Sequence, residues 1–118
     1  MATILVVDDS AFMRMRCVAS VKALGHETLE AGDGQEAIEV YREHKPQAVL
    51  LDITMPNTDG LTALREILAL DPDARVAMVT AMGQQGIVME AIKAGAKDFV
   101  VKPFQPDRIK AALEKLVA

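Results

Sequence analysis

The chain has 118 residues, room for one domain spanning 1–118 and not for two ordinary ones. Its residues are 51% hydrophobic, which excludes a disordered or fibrous chain, and its net charge of −4 gives no electrostatic reason to hold nucleic-acid phosphates. Cys17 is the single cysteine and cannot form an internal disulfide, and the opening apolar run Ile4–Val7 is too short for a signal peptide or a membrane span, so a cytoplasmic protein without membrane or nucleic-acid partners is expected.

Two apolar patterns alternate along the chain. Thr3–Val7 is a short, unbroken apolar run and predicts a strand buried on both faces. After Ser10, apolar residues recur at Met13, Cys17, Val21 and Leu24, and Gly25 stops that helix. Glu27–Ala31 is more polar and reads as an edge strand. Asp33 with Glu36 makes a capping box for a helix through Ile38 and Tyr41 that ends before Pro46. Ala48–Leu51 is the third strand. Asp59-Gly60 precedes a stripe of Leu61, Leu64, Ile67 and Leu68, halted before Pro72. Val76–Thr80 is the fourth strand, and Ile87, Val88, Ala91 and Ile92 form a helical stripe stopped by Gly95. Asp98–Val101 is the fifth strand. Pro106 suits the first turn of a last helix carrying Ile109, Leu113 and Leu116. Strand and helix alternate five times, which predicts an α/β sandwich around a parallel sheet.

In such a sheet, sites form at the carboxyl ends of the strands. The first strand ends in Asp8-Asp9, the third in Asp52, the fourth in Thr80 and the fifth in Lys102-Pro103. Each has an ordinary structural use: a helix cap, a turn, a buried hydroxyl or a solvated amine. Gathered at one end of one sheet, the three carboxylates repel one another, and a divalent cation answers that repulsion best. The ligands are all oxygens, which favours Mg²⁺ over zinc. An amine and a hydroxyl beside that ion suit a phosphoryl group. The methionines are assigned to packing, with Met13, Met78 and Met89 filling core gaps and Met82 nearer a surface that changes. His26 and His44 have no partner at metal-ligand spacing. Gly32–Gly34 is a turn and lacks the spacing of a phosphate loop.

Four stretches occur in order at the expected strand ends: VVDDS (6–10), LLDITMPNTDG (50–60), VTAM (79–82) and GAKDFVVKPF (95–104). On these the chain resembles the receiver domain of bacterial two-component response regulators, over Thr3 to Leu116. The stretches DDSAFMR and TAMGQQGIVMEAIKAGAKDFVVKPF look more like a stand-alone chemotaxis regulator than like the receiver of a transcription factor. The resemblance implies a flavodoxin-like (βα)5 fold with strand order 2-1-3-4-5. It implies that Asp52 accepts a phosphoryl group from a histidine kinase. Asp9 directly, Asp8 through water, Asp52 and the backbone carbonyl of Thr54 would hold Mg²⁺, while the Thr54 side chain tunes phosphoryl lifetime. Lys102 and Thr80 would contact the phosphoryl group, and Lys102-Pro103 would be a cis peptide. Phe99 stands where the family keeps an aromatic switch residue. The implied partners are the kinase, a phosphatase and the flagellar motor switch, bound on the face of helix 4, strand 5 and helix 5. A monomer is expected, catalysing only its own phosphoryl transfer and dephosphorylation.

Three other readings compete. A Mg²⁺-dependent aspartyl-phosphate phosphohydrolase wants D-x-D-x-T on the first strand, where this chain has Asp8-Asp9-Ser10. A flavin carrier wants a hydroxyl-rich first loop and aromatic rings, against an acidic loop, no Trp and one Tyr here. A receiver cut from a longer DNA-binding regulator would share every motif above.

Overall fold

The structure, a computed structural model, describes residues 2–53, 59–81, 85–102 and 105–117. Its elements are β1 (Thr3–Val7), α1 (Ala11–Ala23), β2 (Glu27–Ala31), α2 (Gly34–His44), β3 (Ala48–Asp52), α3 (Gly60–Leu70), β4 (Val76–Ala81), α4 (Gln85–Ala94), β5 (Asp98–Lys102) and α5 (Pro106–Val117). All strand pairs are parallel, in the order β2-β1-β3-β4-β5. The helices begin where the side chains say. Ser10 accepts the Met13 N–H, Asp33 the Glu36 N–H and Asp59 the Thr62 N–H, each satisfying a donor the first turn leaves unpaired. After α4 the chain turns through Gly95 at φ +126, a conformation that side-chain-bearing residues rarely adopt.

Two cores lie on opposite faces of the sheet. On one, Cys17, Val18 and Val21 of α1 and Ile109, Leu113 and Leu116 of α5 meet Ile4, Val6, Leu50, Val79 and Val100. On the other, α2, α3 and α4 bring Ile38, Tyr41, Leu64, Ile67, Val88 and Ala91 against Leu5, Leu51, Val76 and Met78. Alternate residues of one strand therefore serve opposite cores, so β3 is buried at all five positions.

Two expectations need correction. The stripe on α4 is only half covered: Val88 and Ala91 are buried, while Ile87, Ile92 and Met89 are exposed. Met89 therefore fills no core gap, because it sits one position off the face that meets the sheet. Likewise β5 is not buried on both faces. It pairs with β4 alone, and Phe99 and Val101 are 39% and 37% exposed.

The strand order also places the site. The chain passes from β1 outward to β2, then returns across β1 to β3. Neighbouring crossovers thus leave the sheet in opposite senses between β1 and β3, opening a crevice above their carboxyl ends. Val7 is in register with Leu51, so Asp8 and Asp52 come level across that crevice.

Candidate functional site

Asp8 follows β1 directly, and Asp52 is the last residue of β3; each is 5% exposed. Ser10 N–H donates to Asp8 Oδ1 at 2.9 Å, fixing that carboxylate beside the start of α1. Asp9 is exposed at the rim. One carboxylate oxygen from each of Asp8, Asp9 and Asp52 lies within 4.8 Å of the others. From the far side of the sheet, Lys102 Nζ reaches Asp8 Oδ2 at 2.9 Å and Asp52 Oδ2 at 3.3 Å.

Three carboxylates against one ammonium leave the site strongly acidic. Burial is the main reason the Asp52 carboxyl is pushed up to about 6; Lys102 opposes the shift, and the charges of Asp8 and Asp9 add to it. Burial works against the charge of Lys102 too. Its hydrogen bond to Asp8 and the charges of Asp52 and Asp8 outweigh that and hold the amine above its ordinary range. Burial, reinforced by Asp8, pushes the nearby Cys17 thiol up to about 12, so it is a neutral packing group and no nucleophile. The converging oxygens fit a small, hard divalent cation, and Mg²⁺ is such an ion.

Thr80 stands on the neighbouring strand, 2% exposed, with its hydroxyl donating to the Ala81 carbonyl at 3.1 Å. Its register partner is Val101, and that of Ala81 is Lys102, so hydroxyl and amine reach the same end of the sheet. Phe99 pairs with Met78, two residues before Thr80, and points to the same side of the sheet as Thr80. It lies about 10 Å down β5 from Lys102, outside the acidic cluster, at ~3.3 Å per residue. Thr54, Met82 and the Lys102-Pro103 peptide lie outside the described residues.

Three residues that sequence reasoning passed over support this arrangement. In the sequence, Gly60 marks only a helix start. A Cβ there would sit 2.1 Å from the Asp52 carbonyl oxygen, so only glycine lets α3 begin against the end of β3. Its N–H donates to the Ile53 carbonyl at 2.8 Å and ties the two together. Arg14 of α1 donates to the Asp8 carbonyl at 2.6 Å and to Glu30 Oε1 at 3.1 Å. Arg108 of α5 brackets the Asp98 carboxylate at 3.0 and 3.3 Å and also donates to the Phe99 carbonyl. A cation in the first turn of a helix opposes the helix dipole, which was the available signal for a fixed partner of Arg108.

The response regulator receiver domain family matches residues 4–114. The chain belongs to that family. The receiver is 56% identical to the chemotaxis protein CheY of Listeria monocytogenes, over 98% of each chain. It is 53% identical to CheY of Thermotoga maritima, over 96% of this chain and 95% of that one. Among solved structures, the CheX–CheY–BeF3–Mg²⁺ complex of Borrelia burgdorferi contains a chain that superposes with a TM-score of 0.93 at 34% identity, covering 98% of the receiver and 89% of that chain. No helix among the described residues is long and apolar enough to cross a membrane.

Proposed function

We propose that this receiver is a phosphorylation-activated switch in which Asp52 takes a phosphoryl group from a phosphohistidine of a histidine kinase, with Mg²⁺. The observation that carries the reading is the meeting of Asp8, Asp9 and Asp52 with Lys102 at the β1–β3 crevice. Asp8, Asp9, Asp52 and the Thr54 carbonyl would hold the ion, which when bound supplies positive charge against the phosphoryl oxygens. Asp52 is the nucleophile: its Oδ–P bond forms as the donor's N–P bond breaks, and the product is an acyl phosphate. With a pKa of about 6, Asp52 is mostly ionised at neutral pH, the form that attacks. Lys102 is already charged and placed to turn from Asp8 and Asp52 toward the phosphoryl oxygens.

Output follows from the neighbouring strand. The phosphoryl group adds about −1.5 to −2 charge and strong acceptors. Thr80 exchanges its bond to the Ala81 carbonyl for one of them, vacating room on the side where Phe99 lies. The ring turns inward and reshapes the face formed by α4, β5 and α5, where Ile87, Met89, Ile92 and Val101 are exposed. Similarity to CheY supports chemotaxis as the setting and the flagellar motor switch as the partner of that face. The CheX bound in the Borrelia complex supports further protein partners. The receiver catalyses its own phosphoryl gain and loss and turns over no separate substrate.

The test is intact mass after incubation with a small phosphodonor. One phosphoryl group is expected with Mg²⁺, none with chelator and none in Asp52→Asn. A phosphoryl group mapped to another residue in the variant, or steady turnover of a phosphomonoester, would overturn the assignment.

A further inference from the structure

The acidic pair is not aimed symmetrically. Every polar group of Asp8 is held: its N–H donates to the Ala31 carbonyl at 3.2 Å, its carboxylate accepts from Ser10 N–H and Lys102, and its carbonyl accepts from Arg14. Among the described residues the Asp9 carboxylate has no hydrogen bond and no ion pair, although it belongs to the candidate metal cluster. With no side-chain bond to fix it, its direction depends on the backbone that carries it. The peptide plane leading into Asp9 contains the Asp8 carbonyl, so whatever fixes that oxygen fixes the direction in which Asp9 leaves the strand.

Arg14 Nη1 does so with a charge-assisted bond of 2.6 Å. The guanidinium is itself held, because Nε pairs with Glu30 Oε1 at 3.1 Å on the adjoining strand β2. It lies against Gly32, where an added Cβ would stand 3.6 Å from Nη1. α1, β2 and the end of β1 are thus joined through one side chain.

We infer that Arg14 is a positioning residue for the divalent cation, acting through the Asp8–Asp9 peptide to aim Asp9. This rests on the proposed metal site and adds a residue that is not a ligand. Its effect is opposite in sign to its charge. A cation beside an acidic cluster weakens binding of another cation, so by Coulomb's law alone its removal tightens Mg²⁺ binding. A positioning role requires that removal loosen it.

The experiment is Mg²⁺ titration followed by backbone amide NMR, with thermal unfolding in the absence of Mg²⁺ as the check on folding. Arg14→Gln is expected to raise the Mg²⁺ Kd about tenfold, the scale of losing a group that orients a metal ligand. At saturating Mg²⁺ it should accept phosphoryl at close to the parent rate. Glu30→Gln, which keeps the bond to the Asp8 carbonyl, should stay within about twofold of the parent. Arg14→Lys, which keeps the charge but loses the two-pronged reach, should fall between, and it carries the test if Arg14→Gln does not fold. Unchanged or tighter Mg²⁺ binding in the Arg14 variants would overturn the inference. So would a loss in Glu30→Gln equal to that in Arg14→Gln. If the parent bound no Mg²⁺, or Asp9→Asn bound it undiminished, the metal site itself would fail and the role of Arg14 with it.

Discussion

Strands β3 and β5 each end in a residue of the site, Asp52 and Lys102, yet they are built in opposite ways. β3 has a strand on either side and a helix layer on both faces, and all five of its residues are buried. β5 has one neighbour, and on its α4 side Phe99 and Val101 are only partly covered. A residue in a close-packed interior cannot move without breaking many contacts, while a half-exposed ring at an edge exchanges positions at small cost. The proposed acceptor, Asp52, thus stands on the more tightly packed part of the sheet, and the proposed readout, Phe99, on the less covered part. Arg108 refines this: it ties the Asp98 carboxylate and the Phe99 carbonyl to α5, while the Phe99 ring itself stays partly exposed.

The sharpest way to break this contrast is to cut side chains on both strands. Leu50→Ala on β3 is expected to cost about 3 kcal/mol, and Phe99→Ala on β5, although it removes a larger side chain, about 1 kcal/mol. Denaturant unfolding measures both. Similar losses would mean that β5 is as firmly packed as β3.

A smaller effect concerns the burial of Asp52. Its pKa of about 6 in the fold lies above the ordinary 3.8, so the folded state holds the Asp52 proton more tightly than the unfolded chain does. Asp52 therefore supports folding below the ordinary value, and that support is lost as pH rises through about 6, leaving a buried charge that opposes folding. Without Mg²⁺, Asp52→Asn should match the parent near pH 3.5 and exceed it by on the order of 2 kcal/mol at pH 7. A variant less stable than the parent at pH 7 would make Asp52 a structural partner of Lys102 and not a strained acceptor.

The smallest effect on stability is expected on β4, between the two strands. Thr80→Ala should cost about 1 kcal/mol and leave phosphoryl acceptance by Asp52 intact. It should abolish the gain in affinity for a motor-switch peptide that a beryllofluoride phosphoryl mimic produces in the parent. Since a ligand shifts a two-state equilibrium only through its differential affinity, equal gains in both proteins would remove Thr80 as the coupling element.

Much of the site was legible because strand ends can be read locally. An apolar run stops at a charged residue, and in a parallel sheet that residue faces the crevice, as Asp8, Asp52 and Lys102 do. Arg14, Gly60 and Arg108 escaped because each acts on a partner that sequence does not mark. The Gly60 requirement comes from the carbonyl of Asp52, eight residues upstream, and Arg108 reaches Asp98, ten residues upstream. Sequence alone makes the acidic cluster need a cation from solution; Lys102, bonded to two of its members, already supplies part of that charge.

The sequence by itself determined the element order, the caps at Ser10, Asp33 and Asp59, and the two patterns that require helices around a parallel sheet. These depend on interactions within a turn or along a strand, and the residues that decide them are neighbours in the chain. Only the tertiary structure decided which apolar residues are covered and which charges meet. Met89, Ile92 and Phe99 are as apolar as Val88, Ala91 and Val100, and they are exposed because, among the described residues, no element packs over the outer side of β5 and α4. Burial and long-range charge pairing are properties of the assembled layers, fixed by the edge position of β5 and the reversal at β1 and β3, and no local pattern carries them.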